Sequence, residues 1–157
     1  SGPPGSRPHP RMRLRVAGLA GALLLACVAP LHAAPSPFGR WLTQDRDGVV
    51  EIRPCGADLC GRVIGLDLPR LPNGDVPRDP QGRPHCGLQI LQAEPAAVGA
   101  WDGRITDPSD GTSWHFTLRL NDQGQLKLRG YVLTPLLGRT QTWTPYAGTL
   151  GADCAMR

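Results

Sequence analysis

Residues 101–146, WDGRITDPSDGTSWHFTLRLNDQGQLKLRGYVLTPLLGRTQTWTPY, decide the fold. Between 112 and 121, Trp114, Phe116, Leu118 and Leu120 share one parity, and Ser113, His115, Thr117 and Arg119 take the other. A two-residue period of this kind marks a strand with one buried face. Leu126, Leu128 and Val132 then oppose Lys127, Arg129 and Tyr131, with Asp122-Gln123-Gly124 as the turn between the two blocks. Upstream, 101–106 pairs with 112–121 across Asp107-Pro108-Ser109-Asp110-Gly111, where Asp caps the turn and Gly takes positive φ. The core is therefore expected to be a meander of antiparallel strands.

Towards the N-terminus, 38–45 reads as a first strand carrying Gly39-Arg40-Trp41, and Asp45-Arg46-Asp47-Gly48 turns into a strand over 49–55. Val50 and Ile52 share a face opposite Glu51, Arg53 and Cys55. The return strand, 60–66, sets Cys60 and Arg62 against Gly61, Val63 and Gly65. With Cys55 across from Cys60, the simple register places Arg53 opposite Arg62, a mildly repulsive pair. Residues 67–84 lose the period and fill with Pro, Asp, Arg and Gly; a loop of this length is either functional or a solvated connection. A strand over 86–92 carries Leu88 and Ile90, 93–100 is a second connection with room for one helical turn, and 138–144 closes the meander. About eight strands without a long helix predict an all-β fold, a single antiparallel up-and-down β-barrel over 38–157.

The first residues read differently. Arg11-Met12-Arg13-Leu14-Arg15 is a basic segment, 16–29 is an uncharged run of Val, Leu, Ala and Gly, and Leu31-His32-Ala33 offers small residues for cleavage. That order is the order of a secretory signal peptide, assigned here to 12–34 with cleavage after Ala33 or Ala34. Residues 1–11 read as an upstream extension or tag. A competing reading takes Leu24-Leu25-Ala26-Cys27 as a lipobox, which would anchor the protein through Cys27. Four of the 17 basic residues, Arg7, Arg11, Arg13 and Arg15, lie in this leading part, leaving 13 basic against 13 acidic residues beyond it. The sequence pI of about 9.1 thus belongs to the leader and gives no support to nucleic-acid binding.

Beyond Cys27 the cysteines are Cys55, Cys60, Cys86 and Cys154. An even number in a small exported domain reads as disulfides. Cys55 and Cys60 flank Gly56-Ala57-Asp58-Leu59 between two strands on their polar side, and Cys86 with Cys154 follows by elimination. His85-Cys86 is the one hint of zinc, and adjacent strand residues point opposite ways, so no metal or cofactor is expected. No GxSxG, HExxH or phosphate-binding glycine loop occurs. Asp102, Asp107 and Asp110 lack EF-hand spacing and His115 falls on a polar face, so no catalytic residue is assigned and the protein is not expected to be an enzyme.

Gly39-x-Trp41, Gly48-Val49-Val50-Glu51-Ile52 with Cys55, Leu59-Cys60-Gly61-Arg62, Asp79-Pro80 to Arg83-Pro84, Gly87-Leu88, Asp107-Pro108-x-Asp110-Gly111 and Leu136-Leu137-Gly138-Arg139-Thr140-Gln141-Thr142-Trp143 form one set of motifs. In this set the chain resembles a bacterial exported family catalogued as domain of unknown function 2147. The resemblance implies a lipocalin-like barrel and an exported location, and it brings no activity. Gly39-x-Trp41 also resembles the first-strand signature of lipocalins. That likeness implies that Trp41 plugs one barrel end beneath an arginine from a late strand, Arg139 or Arg129.

Eight strands either fill their interior with side chains or hold one small molecule. The inward residues are mostly medium-sized aliphatics, which favours a cavity lined by Trp114, Phe116, Leu118, Leu126 and Leu128. The expected function is that of a monomeric periplasmic or secreted protein binding a small apolar or amphipathic ligand, with no nucleic-acid partner and no transmembrane domain after signal removal. The alternative is a non-catalytic envelope protein with a filled barrel, acting through its outer surface. An envelope hydrolase, the third class, would need Asp102, Asp107 or His115 to converge in a cleft.

Overall fold

The computed structural model describes residues 35–67, 75–131 and 138–157, with the isolated positions 2, 4, 5 and 29. Contacts divide the chain into two units, Ser1–His32 and Ala33–Arg157, and the barrel lies in the second. The leader over 12–34 apart from Ala29, residues 68–74 of the long loop, and Val132, Leu136 and Leu137 lie outside the described residues.

Eight strands form in chain order: β1 Gly39–Leu42, β2 Gly48–Cys55, β3 Asp58–Leu66, β4 Gln89–Pro95, β5 Ala100–Thr106, β6 Ser113–Leu120, β7 Leu126–Tyr131 and β8 Arg139–Pro145. Each pairs antiparallel with its neighbour in sequence, and β8 returns to β1 to close the barrel. Closure removes the unpaired edges an open sheet would expose. Among the described residues there is no α-helix, so none is long and apolar enough to cross a membrane. Among the described residues one 3-10 turn forms, Ala152–Cys154, after β8.

The alternation read from sequence sets the inner face. Trp41, Val50, Ile52, Leu59, Leu91, Ala93, Phe116, Leu118, Leu126, Leu128 and Trp143 form one buried cluster. Complete burial of a medium or large apolar side chain contributes about 1.5–3 kcal/mol, so this cluster is the principal source of stability. Gly61 belongs to it by omission: a Cβ there would lie 2.6 Å from Cγ of Leu91, which fills the space.

Three local readings need correction. β1 stops at Leu42 rather than at residue 45, because Thr43 accepts from the amide of Arg46 and its hydroxyl bonds Asp47 at 2.8 Å, folding 43–47 into a turn. Residues 93–95 belong to β4, and 96–99 make a tight turn bonded to Ala100 in place of a helical turn. Buried positions in β4 are Leu91 and Ala93, not the parity of Leu88 and Ile90. A register shift between Gly61 and Arg62, opposite 89–91, moves the phase by one residue.

The β2–β3 hairpin also differs in register. It turns through two residues, Gly56 and Ala57, with Gly56 at the positive φ of 66° that such turns require, so Cys55 faces Asp58 and Arg53 faces Cys60. Cys55 and Cys60 therefore bond diagonally across the outer face, with Cα atoms 5.8 Å apart. The same shift sets Arg62 opposite Glu51, and the expected repulsive pair becomes an attractive one. Glu51 Oε1 and Oε2 receive Arg53 at 2.9 and 3.1 Å, and Oε1 also receives Arg62 at 3.1 Å. Arg40 stands 3.9 Å from Oε2, so three cations from three strands surround one carboxylate.

A C-terminal strap covers the outer side of this hairpin. Leu150 lies against Gly65 and Val49, Met156 N donates to Leu66 O at 3.1 Å, and Cys154 is bonded to Cys86. Val49 is thereby fully buried although it lies on the outer parity of β2.

Candidate functional site

Up-and-down topology places the β1–β2, β3–β4, β5–β6 and β7–β8 connections at one end of the barrel and the other three at the opposite end. At the second end, Trp41 pairs with Val50 and Pro145, its indole Nε1 donates to Pro37 O at 2.8 Å, and Phe38 meets Trp101 edge-on at 6.2 Å. Trp41 does close this end, as the sequence signature implies, but without the expected arginine. Arg139 begins β8 at the far end from Pro145, and Arg129 points outward to donate to Thr140 at 3.1 Å.

At the first end the packing gives way to a cavity of about 540 Å³. Apolar walls come from Ile90, Ile105, Trp114 and Leu128, with Gly130 leaving room between them. Each wall residue is there for a local reason. Ile90 is brought round by the register shift in β4, Ile105 and Trp114 are cross-strand partners on β5 and β6, and Leu128 is the last buried residue of β7. Polar groups sit near the rim: Thr106, Asp107, Tyr131, Arg139 and Gln141.

The 75–88 loop stands beside this rim, folded on itself. Asp79 Oδ1 accepts from the amides of Gln81 and Arg83 at 3.0 and 2.8 Å, and Oδ2 pairs with Arg83 Nε at 2.7 Å. Burial pushes the Asp79 carboxyl up, but the hydrogen bonds and charge of Arg83 outweigh it and hold the group below the usual range. His85 is buried and its Nε2–H donates to Pro108 O at 3.0 Å, tying the loop to the β5–β6 turn. That turn is set by Asp107 and Asp110, which accept from the amides of Ser109 and Thr112, each at 2.8 Å. The amide of Thr112 holds the Asp110 carboxyl below its usual range. Between loop and turn runs a polar groove of about 320 Å³.

Of the residues assigned to a cavity from sequence, Trp114 and Leu128 line it. Phe116, Leu118 and Leu126 do not; they are 1 % exposed or less and belong to the packed half beneath. Asp102 accepts from Thr117 at 2.9 Å on the outer face, and His115 stacks on Tyr131 at 5.8 Å with Arg104 3.3 Å away. Asp102, Asp107 and His115 thus do not converge. Zinc at His85-Cys86 is replaced by a hydrogen bond and a disulfide, and the described residues hold no group of metal-ligating side chains.

Sequence reasoning missed Ile90, Ile105, Arg139 and Gln141. Arg139 and Gln141 share the parity of buried Trp143, a signal that was available; the shift that recruits Ile90 leaves none in the local pattern.

Comparison with known proteins follows the same outline. A family model described as an uncharacterised protein conserved in bacteria, DUF2147, matches residues 39–145. The chain belongs to this family. A solved structure, protein HP1028 from Helicobacter pylori, described as belonging to the lipocalin family, superposes with a TM-score of 0.59 at 18 % identity. The match covers 73 % of this chain and 85 % of that one, and it establishes the lipocalin fold. No curated protein matches. The match across 39–145 takes in Arg139 and Gln141 together with the Glu51 cluster.

Proposed function

We propose that this DUF2147 barrel is a non-enzymatic binding protein of the cell envelope that takes a small apolar or amphipathic molecule into its open end. The carrying observation is the half-filled interior: a packed lower cluster beneath a cavity of about 540 Å³ with mainly apolar walls. Small-molecule sites occupy roughly 300–1,000 Å³ and combine such walls with a few polar groups. Two disulfides support the envelope location, since such bonds persist in oxidising compartments. The filled-barrel alternative describes the lower half of the interior alone.

Titration with N-phenyl-1-naphthylamine, an uncharged probe that brightens in apolar surroundings, tests the reading. Binding should raise probe emission and change that of Trp114 in the wall. Ile105→Trp, which places an indole in the cavity, should abolish binding while circular dichroism stays that of the wild type. A wild-type protein that leaves the probe dark, or an Ile105→Trp variant that binds it undiminished, sinks the proposal.

A further inference from the structure

We infer that the pocket selects an anionic amphiphile, its acidic head held at Arg139 and its apolar chain laid against Ile90, Ile105, Trp114 and Leu128. The inference rests on the binding reading above and adds the chemical class of the ligand.

Arg139 lines the pocket and is exposed, and among the described residues its guanidinium has no ion-pair or side-chain hydrogen-bond partner. Its neighbours on the outer face are engaged: Arg129 with Thr140, and Lys127 with Thr142 at 2.6 Å. Two residues along β8 from Arg139, on the inner parity, Gln141 Oε1 accepts from Trp143 Nε1 at 3.0 Å. Because an indole nitrogen can only donate, this bond fixes the amide orientation and leaves the Gln141 NH2 as the free end, a second donor on the β8 wall. Donors thus gather on β8, where a planar guanidinium suits a carboxylate or phosphate.

Among the described residues Asp107 is the one acidic residue of the lining, and it sits on the β5–β6 turn with Oδ1 bound to the amide of Ser109. Strands β6 and β7 separate that turn from β8. The pocket mouth is therefore polarised, positive on β8 and negative on the turn, and an acidic head is drawn to the β8 side. An uncharged head gains neutral hydrogen bonds there without an ion pair, and a cationic head is repelled by Arg139.

The test is competition against N-phenyl-1-naphthylamine by three compounds of equal chain length: dodecanoate, dodecan-1-ol and dodecylammonium. On wild type, dodecanoate should displace the probe at about tenfold lower concentration than dodecanol, with dodecylammonium weakest. That preference should shrink towards ~1 M salt, where the Debye length is about 3 Å. Arg139→Gln should bring dodecanoate to the level of dodecanol, and Arg139→Glu should reverse the order. Asp107→Asn should tighten dodecanoate. If dodecanoate and dodecanol compete equally on wild type, if Arg139→Gln keeps the preference, or if the probe binds and no dodecyl compound displaces it, the inference is overturned while the binding reading stands. If the probe itself fails to bind, the binding reading falls first.

Discussion

Replacing Glu51 with Gln should destabilise the barrel and remove part of its acid sensitivity. Glu51 is 7 % exposed, whereas Arg40, Arg53 and Arg62 expose 50 %, 65 % and 51 % of their side chains. Hydrogen bonds to a charged group contribute about 1.5–3 kcal/mol when desolvated, and exposed ion pairs about 0.2–1 kcal/mol. Two close pairs with a buried acceptor and half-exposed donors fall between, at roughly 1–2 kcal/mol in all. In a domain of this size that corresponds to a fall in Tm of roughly 4–8 °C. Burial pushes the Glu51 carboxyl up, but the hydrogen bonds and charges of Arg53 and Arg62 outweigh it and hold the carboxyl below its ordinary range. A depressed carboxylate stabilises the fold above the unfolded pKa, about 4.3, and loses that contribution as pH falls through the lower folded value. Urea denaturation should therefore give Glu51→Gln a lower midpoint than wild type at neutral pH with an unchanged slope. The gap should narrow in acid. A variant as stable as wild type at neutral pH, or a gap that persists after Glu51 is protonated, refutes the assignment.

Two further outcomes are expected. Gly61→Val drives a branched side chain into Leu91 and should cost about 1–3 kcal/mol by overpacking, read as a lower urea midpoint; Leu91→Ala in the same chain should recover part of it. Cys86 and Cys154 are 68 residues apart and Cys55 and Cys60 only 5. By the loop-length argument, Cys86→Ala with Cys154→Ala should cost ~4 kcal/mol against ~2 for the hairpin pair, and equal losses in thermal melts would contradict it.

Most of the barrel was legible because half-buried strands print their inner face every second residue: 112–121 and 126–131 fold as read, and both disulfides form between the expected partners. What the pattern could not convey was phase between strands. The two-residue turn at Gly56 slid β2 against β3 and turned an arginine clash into the Glu51 cluster, and the shift opposite Arg62 inverted the buried set in β4. Parity also says which side chains point inward without saying how far up the barrel they are packed. Phe116 and Trp114 are therefore alike in sequence and different in role, one in the core and one in the wall.

The joint that closes the barrel is short. β1 has four residues, and only Trp41 and Leu42 are in register with Pro145 and Thr144 on β8, supplemented by Tyr146 N to Arg40 O at 2.9 Å and Thr142 N to the side chain of Gln44 at 2.9 Å. It joins the two ends of the domain, so its loop-closure entropy is the largest of any strand pair and is met only after the local hairpins have formed. The barrel is therefore expected to zip from its hairpins and latch last at β1–β8. In the native state the same latch is where amide protons should exchange through partial opening, well before those of β5, β6 and β7.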